Sequence, residues 1–543
     1  MSVERTRGGA AGGGAAAVRG GAAAAGGAAA ARGGGAAAGG GGRAALEARV
    51  RRAVEARREE AFALLEQLVA IDSTNPDFPG VERAAAIGGE ARCAELLRGR
   101  FAALGLACEL VAPDPQRPNL LATLRGAGGG RALILNGHLD TVAPVRPQTW
   151  SGDPHTPVRA GGMLRGLGAT DMKGGLASAW LAVAALRDAG APLAGDLQVH
   201  CVVGEEQMQH ELGTSACVAA SGLAAAPAAA APAPAAPPAG TAAAPAAAPA
   251  PAAPPAGTAA PAAAAPAPAA PPPAAAIVLE PSSSPRPLTP STTSAGNWVF
   301  RVAVAGRATH AGNRAGAVRP GGEGGALGAN AVEKGLLLVR ALQELEAEWG
   351  QTRAHPAFAP GFFTINVGAF HADAGAPSPA YLADRAELDV LAWYPPGEEP
   401  QAVRAELEGH LLAAARLDPW LRDHPPQIEW LGNWPAAETA WEEPVVQALR
   451  RAHERVTGEL VPPPGPAARS GFPAVTDASF LEAAGIPTVV YGPGDLRRAH
   501  AADEQVALEE VATAAVVVAL TALDWCGLAA PDHDTEMATR RTA

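Results

Sequence analysis

Residues 224–276 contain only Ala, Pro, Gly and Thr, and hold 16 of the chain's 51 prolines. The decamer PAPAAPPAGT at 232–241 recurs at 249–258, and PAPAAPP starts again at 266, a period of 17 residues. Proline removes backbone donors and fixes φ, and no side chain here is large enough to build a core. The stretch therefore reads as a solvated, polyproline-like linker, not as a solenoid. Its place constrains the fold more than its content does. It interrupts an alternation of strand-like and helix-like segments that resumes directly after it, so it reads as an insertion into a folded body. Residues 1–44, nearly all Gly and Ala, are also expected to stay unstructured, because Gly costs about 1 kcal/mol against Ala in a helix and nothing there is worth burying.

Several classes are excluded. No apolar run of about 18 residues lacks Gly, Pro or charge, so no membrane span is expected. Five scattered cysteines without a CxxC spacing argue against a disulfide framework or a thiolate zinc site. A net charge of −12 argues against a nucleic-acid partner. A cytoplasmic protein is expected, with targeting by the Arg-bearing first segment left open. Between the biased stretches the pattern is α/β. RALILN (131–136), LQVHCVV (197–203) and IPTVVY (486–491) read as buried strands, and 173–189, 443–457 and 505–523 as helices. NWVFRVAV (297–304) alternates, 329–346 reads as a long amphipathic helix, and FFTINVGAF (362–370) and AELDVLAW (386–393) read as further strands. This order predicts one α/β domain interrupted by an α+β domain.

Chemistry-bearing residues cluster just past the buried strands. NGHLDTV (136–142) places His138 and Asp140 at a strand end, where an imidazole can ligate a metal and a carboxylate can orient it. GLGATDMKGG (166–175) holds Asp171 before a helix, VVGEEQ (202–207) holds adjacent Glu205 and Glu206, IVLEP (277–281) holds Glu280, and YGPGDLRRAH (491–500) ends on His500. Singly, each is equally a loop histidine, a helix-capping Asp or an acidic helix start. Together they follow successive strands of one sheet, where open α/β folds bind ligands. Nitrogen and oxygen ligands without thiolate, with a glutamate left over as base, suit a two-zinc hydrolytic site.

The ordered run NGHLDTV, GATDMKGG, GEE, LEP, GRATHAG and GPG…AH resembles the zinc amidohydrolase family of acetylornithine deacetylase, succinyl-diaminopimelate desuccinylase, aminoacylase and glutamate carboxypeptidase, over about residues 45–525. IDSTNP (71–76) and ADEQVALEE (502–510) look like the acetylornithine deacetylase branch. The resemblance implies an aminopeptidase-like catalytic domain with a central mixed sheet, at 45–292 and 411–528, interrupted by a ferredoxin-like dimerisation domain at 293–410. A flexible tail would follow at 529–543. It implies that Asp171 bridges two zinc ions (cobalt a substitute), that His138 and Glu280 complete one site, and that Glu206 and His500 complete the other. Glu205 would be the general base toward a zinc-bridged water, Asp140 the partner of His138, and His310 of GRATHAG an oxyanion donor, often to the partner subunit of a homodimer. An Asp171–Met172 cis peptide is also implied. The function implied is removal of an acyl group from a small N-acyl amino acid, with a metallo-dipeptidase or carboxypeptidase, or a non-catalytic scaffold, as alternatives.

Two features support or qualify the match. Glu206 and Glu280 are 74 positions apart, a gap that falls to family-like length once 224–276 is discounted. The smaller domain lacks the family's usual Asn before Val-Pro and its strand-ending Arg: 378–396 reads SPAYLADRAELDVLAWYPP. Asn313, Arg314 and Arg469 are candidate replacements for clamping a substrate carboxylate.

Overall fold

A computed structural model describes residues 36–144, 146–223, 274–376, 378–466 and 468–529. What the sequence leads one to expect of 1–35, 224–273 and 530–543 lies outside these residues. Two sheets dominate. Their strands, in chain order, are β1 (Ala107–Val111), β2 (Asn119–Leu124), β3 (Ala132–His138), β4 (Leu197–Val202), β5 (Ala274–Val278), β6 (Gly296–Ala305), β7 (Ile365–Asp373), β8 (Arg385–Tyr394), β9 (Gln427–Trp434) and β10 (Thr488–Val490). The main helices are α1 (Ala36–Val69), α2 (Gly89–Ala103), α3 (Gly174–Asp188), α4 (Ala331–Thr352), α5 (Pro400–Leu417), α6 (Pro444–Thr457) and α7 (Leu508–Trp525). No helix among the described residues is long and apolar enough to cross a membrane.

The larger sheet has the order β1-β2-β4-β3-β5-β10. Strands β4, β3, β5 and β10 run parallel, and β2 and β1 complete the sheet antiparallel, so it is mixed as expected. Strand β3 is buried on both faces, and α3 and α7, buried along almost their whole lengths, pack together over the sheet. That double burial is why these strands read as continuous apolar runs without alternation. Because these four strands are parallel, their carboxyl ends share one edge.

The smaller sheet is antiparallel, in the order β7-β8-β6-β9. One face of β6, with Trp298, Phe300, Val302 and Val304, packs into a second core with Leu338, Leu342 and Leu345 of α4 and Leu407 and Leu411 of α5. The alternation of NWVFRVAV is this two-faced burial.

Four expectations need correction. Helix α1 already begins at Ala36, inside the segment expected to be unstructured; once the helix is nucleated by the apolar stretch from Leu46 onward, each added turn needs only backbone hydrogen bonds. The insertion ends before 274, not at 276: Ala274, Ala275 and Ala276 pair with Ala132, Leu133 and Ile134 of β3, and Ala276 also with Thr488 of β10. Alanines between two strands bury readily even where the sequence reads as low complexity. The alternating NWVFRVAV also reads as an edge strand open to pairing with a second copy, but β6 is central, since β8 and β9 both pair with it; the edges are β7 and β9. A boundary at 410 cuts α5 and leaves β9 on the wrong side, and the chain leaves the smaller sheet only after Trp434.

Candidate active site

His138 ends β3, Glu205 and Glu206 follow β4, Glu280 follows β5, and the loop after β10 delivers His500. Asp171 joins them from the turn before α3, and the Asp171–Met172 peptide is cis, as the resemblance implies. The structure brings all six together. His138 Nε2 lies 3.0 Å from Asp171 Oδ1, 3.4 Å from Glu280 Oε1 and 3.9 Å from Glu205 Oε2. His500 Nε2 lies 3.4 Å from Asp171 Oδ2 and 3.3 Å from Glu206 Oε2, so Asp171 faces both imidazoles. Donor atoms of His138, Glu205 and Glu280 fall within 4.8 Å of one another, as do those of His138, Asp171 and Glu206.

Main-chain hydrogen bonds hold these groups in place. Gly204, at φ +82°, makes the turn that sends Glu205 and Glu206 back over the strand ends. The carboxylate of Asp140 accepts from the amides of Gly204 and Glu206, both at 3.1 Å, and from Asn75 Nδ2 at 2.7 Å. His138 Nδ1 donates to the main-chain carbonyl of Asp140 at 2.9 Å, while the carboxylate stays 3.7 Å away. Asp140 thus orients His138 through its backbone and the glutamate loop through its side chain, a division that the sequence does not announce. Nδ1 must carry a proton to meet a carbonyl, which leaves Nε2 facing the acids. Glu504, from the ADEQ motif, accepts from the amides of Thr170 and Asp171 at 2.8 and 3.1 Å and fixes the turn.

The electrostatics are those of crowded acids out of water. Burial first, then the charge on Asp171, pushes Glu280 up to about 8. Burial also raises Glu206, and raises Glu205 well above the carboxylate range against the pull of His138. Burial disfavours the charge on Asp171 too, but hydrogen bonds to His138 and His500 hold it well below that range. Burial would lower His500, yet bonds to Asp171 and Glu206 lift it to about 11. Four buried carboxylates against two imidazoles leave excess negative charge that divalent cations would neutralise, and the oxygen and nitrogen donors suit zinc-class ions.

Above the cluster opens a cavity of about 820 Å³. Its far wall is the second face of the smaller sheet. Trp393, Asn297 and Trp434 stand opposite one another across β8, β6 and β9, and Leu391, Val299 and Gly432 form the next row. All but Gly432 line the cavity, and a Cβ at Gly432 would meet Met208 of the glutamate loop at 2.6 Å. Phe472 and Pro473, in the GFPAVTDASF loop, close another side.

Other candidates sit elsewhere. His310 is exposed, outside the cavity lining, with Nδ1 accepting from Gly312 N. Arg314 pairs with Glu333, Asn313 Nδ2 donates to Thr309, and neither they nor Arg469 line the cavity. Arg497 also lines the cavity; its Nε and Nη2 donate to the carboxylate of its near neighbour Asp495 at 2.8 and 2.7 Å, and no motif marks it in the sequence.

A family model described as Peptidase family M20/M25/M40 matches residues 134–524. An N-formyl-4-amino-5-aminomethyl-2-methylpyrimidine deformylase of Halalkalibacterium halodurans is 30% identical over 487 residues, 88% of this chain and 96% of that protein. A protein of the same name from Bacillus subtilis is 28% identical over 488 residues, 88% and 97% of the two chains. A succinyl-diaminopimelate desuccinylase of Paracidovorax citrulli is 40% identical, but over 126 residues, 22% of this chain and 29% of that protein. Among solved structures, human carnosine dipeptidase 1 superposes with a TM-score of 0.58 at 15% identity, over 88% of this chain and 99% of that one. A dipeptidase of Saccharomyces cerevisiae superposes with a TM-score of 0.61 at 11% identity, over 88% and 98%. At such identities the likeness speaks for the fold alone.

Proposed function

The chain belongs to peptidase family M20/M25/M40 and is an amide-bond hydrolase of that family, and from this premise we propose that it deformylates an N-formylated aminomethyl heteroaromatic, a pyrimidine of the kind its full-length relatives are named for. One observation carries the choice of substrate. The cavity wall facing the cluster is aromatic and apolar, and its lining Arg497 is already neutralised by Asp495, so the site favours a flat, uncharged body over a carboxylate. In this reading His138, Asp171 and Glu280 would hold one zinc ion, and Asp171, Glu206 and His500 the second. When bound, the ions supply Lewis-acid polarisation of the amide carbonyl and make water more acidic. Glu205 takes the proton of the attacking water and hands it to the departing amine as the C–N bond breaks, giving formate and the free aminomethyl compound.

His310 completes the site from a second copy. It does not reach the cluster of its own chain, and the open edge β7, beside the exposed Leu336 of α4, offers a surface on which two smaller sheets can join. Mixing His310→Ala with Glu205→Gln subunits should restore activity that neither has alone, since a hybrid dimer holds one intact site; no restoration, or a monomer by sedimentation, removes this part.

The second reading is the N-acyl amino acid of the sequence expectation, with Arg497 released from Asp495 to clamp a carboxylate. A panel of N-formyl-4-amino-5-aminomethyl-2-methylpyrimidine, N-acetylornithine and N-succinyl-diaminopimelate, assayed on zinc- and cobalt-loaded protein, decides. Turnover of the pyrimidine at least about tenfold above the others supports the proposal, and the reverse order overturns it.

A further inference from the structure

We propose that Asn297 reads an amino group on the substrate's ring and so sets specificity for an amino-substituted heteroaromatic amide; this rests on the deformylase reading above. Asn297 is the one polar side chain in its cross-strand row, between Trp393 and Trp434, and the next row along the cavity is Leu391, Val299 and Gly432. It lines the cavity yet is only 4% exposed, and its Oδ1 is buried without a hydrogen-bond partner. Its backbone, by contrast, is well provided for: it pairs on both sides of β6, and its carbonyl also accepts from Asn433 Nδ2 at 2.8 Å.

A buried acceptor left unpaired destabilises a fold, and an apolar residue of similar size would suit this row without that cost, as Val299 and Leu391 show two residues along their strands. A side chain that lines a ligand cavity while its carboxamide oxygen stays orphaned just beneath the surface therefore points to a donor that the ligand brings. The surroundings narrow its chemistry. Trp393, half-buried on the cavity wall, favours a flat ring, whose amino substituent donates in the plane while one face meets the indole, with the buried Trp434 and Phe472 packed behind the lining. Among the described residues, the acids that line the cavity are Asp171, Glu205, Glu206 and Glu280, all of the cluster, so the wall brings no carboxylate of its own to balance a charged ammonium. A neutral ring amine fits both conditions. The terminal carboxamide torsion is soft, so a small turn can present Oδ1 to the donor.

The test compares N-formyl-4-amino-5-aminomethyl-2-methylpyrimidine with its analogue lacking the ring amino group, on the wild-type protein and on Asn297→Val. The wild type should prefer the amino compound by about 100-fold or more in kcat/KM, since a site built to bond an N–H rejects the analogue without it. Asn297→Val should lose most of that preference, the amino compound falling about 10- to 100-fold and the analogue changing less than about threefold. Its melting temperature should hold or rise, because an orphaned acceptor has been removed. Equal wild-type rates on the two compounds overturn the role of Asn297 and leave the deformylase reading standing. A variant that loses both substrates in parallel, with a lowered melting temperature, assigns Asn297 to structure and likewise overturns the proposal. Should the wild type cleave neither compound while hydrolysing N-acyl amino acids, the deformylase reading falls and this one with it. A check without any variant remains: the product amine should inhibit the wild type at least about tenfold more tightly than its counterpart lacking the ring amino group, and equal inhibition overturns the proposal.

Discussion

The floor and the far wall of the cavity are built by opposite devices. On the floor, parallel strands end on one edge and each leads into an acid or an imidazole, at or just past the ends of β3, β4 and β5 and at the close of the loop after β10, so position comes from strand ends. On the wall, side chains from β6, β8 and β9 meet because antiparallel register sets Asn297 opposite Trp393 and Trp434. The floor is charged, and hydrogen bonds from the main chain hold it: Asp140 on two loop amides, Glu504 on two more. The wall is apolar and held by packing against its own helices. Chemistry thus sits where the backbone is most constrained, and selectivity sits on a surface that can be rewritten one side chain at a time. If that is right, changes to the floor should remove turnover, and changes to the wall should redirect it.

The largest effect is expected where the floor's support looks least like structure. Removing 224–273 should leave turnover within about twofold, since loop length costs little entropically. Removing 224–276 takes three more alanines from β5, which sits between β3 and β10 and carries Glu280, and should abolish soluble, metal-loaded protein. Equal behaviour of the two deletions in yield and zinc content would break the register given for β5. Next in size, Glu205→Gln should lower kcat by about 10²–10⁴-fold with zinc content unchanged, whereas Glu206→Gln should lose metal. Zinc lost from the first and kept by the second would mean the two roles are exchanged.

The same contrast explains what could be read from the sequence. His138, Asp171, Glu205, Glu206, Glu280 and His500 were legible because each lies in a short motif just past or between the elements of one sheet, and the ordered set is specific. An α/β domain interrupted by an α+β one follows from the order of the elements, and the mixed sheet from the family resemblance. The wall was not legible. Asn297, Trp393 and Trp434 come together only through strand pairing, and no local motif marks any of them. Strand β9 is hidden because QIEWLGNW carries a bulge between Trp430 and Gly432, which breaks its alternation, so a domain boundary drawn from the sequence falls before it. The alanines of β5 were hidden for the opposite reason: their side chains carry no pattern, and only their partners reveal the strand.

On the wall itself the expected effect is smaller and of a different kind. Trp393→Ala removes one aromatic side chain of the lining while leaving the cluster untouched. KM for the formylated pyrimidine should rise about tenfold with kcat within about threefold, the sign of binding shared by ground and transition states. A fall in kcat with KM unchanged would place Trp393 with the floor, and the division between the walls would fail.

The last test concerns the join between the two regions and should leave turnover alone. After β9 the chain crosses back through a short strand, Ala437–Glu438, paired with Thr293–Ser294 just before β6. Glu482 clasps this crossing, accepting from Glu438 N at 2.9 Å and bonding the Thr439 hydroxyl. Burial pushes its carboxyl up to about 7, against the opposing pull of Thr439 and the Glu438 amide. A carboxyl raised on folding binds its proton more tightly in the folded chain. Its contribution is therefore complete below the unfolded value near 4.5 and is lost as pH rises through about 7. Glutamine imitates the protonated form, with its oxygen toward Glu438 N and its amide toward Thr439. The stability of Glu482→Gln should match the wild type near pH 5 and exceed it near pH 8, by on the order of 2 kcal/mol. Denaturant midpoints at the two pH values measure this, and the comparison cancels the other buried acids because both proteins share them. A constant gap at both pH values would show that Glu482 is ionised throughout. The contrast with Glu280 would then sharpen: both carboxyls are raised by burial, but Glu280→Gln should cost metal and turnover, whereas Glu482→Gln should alter only how firmly the wall is tied to the floor.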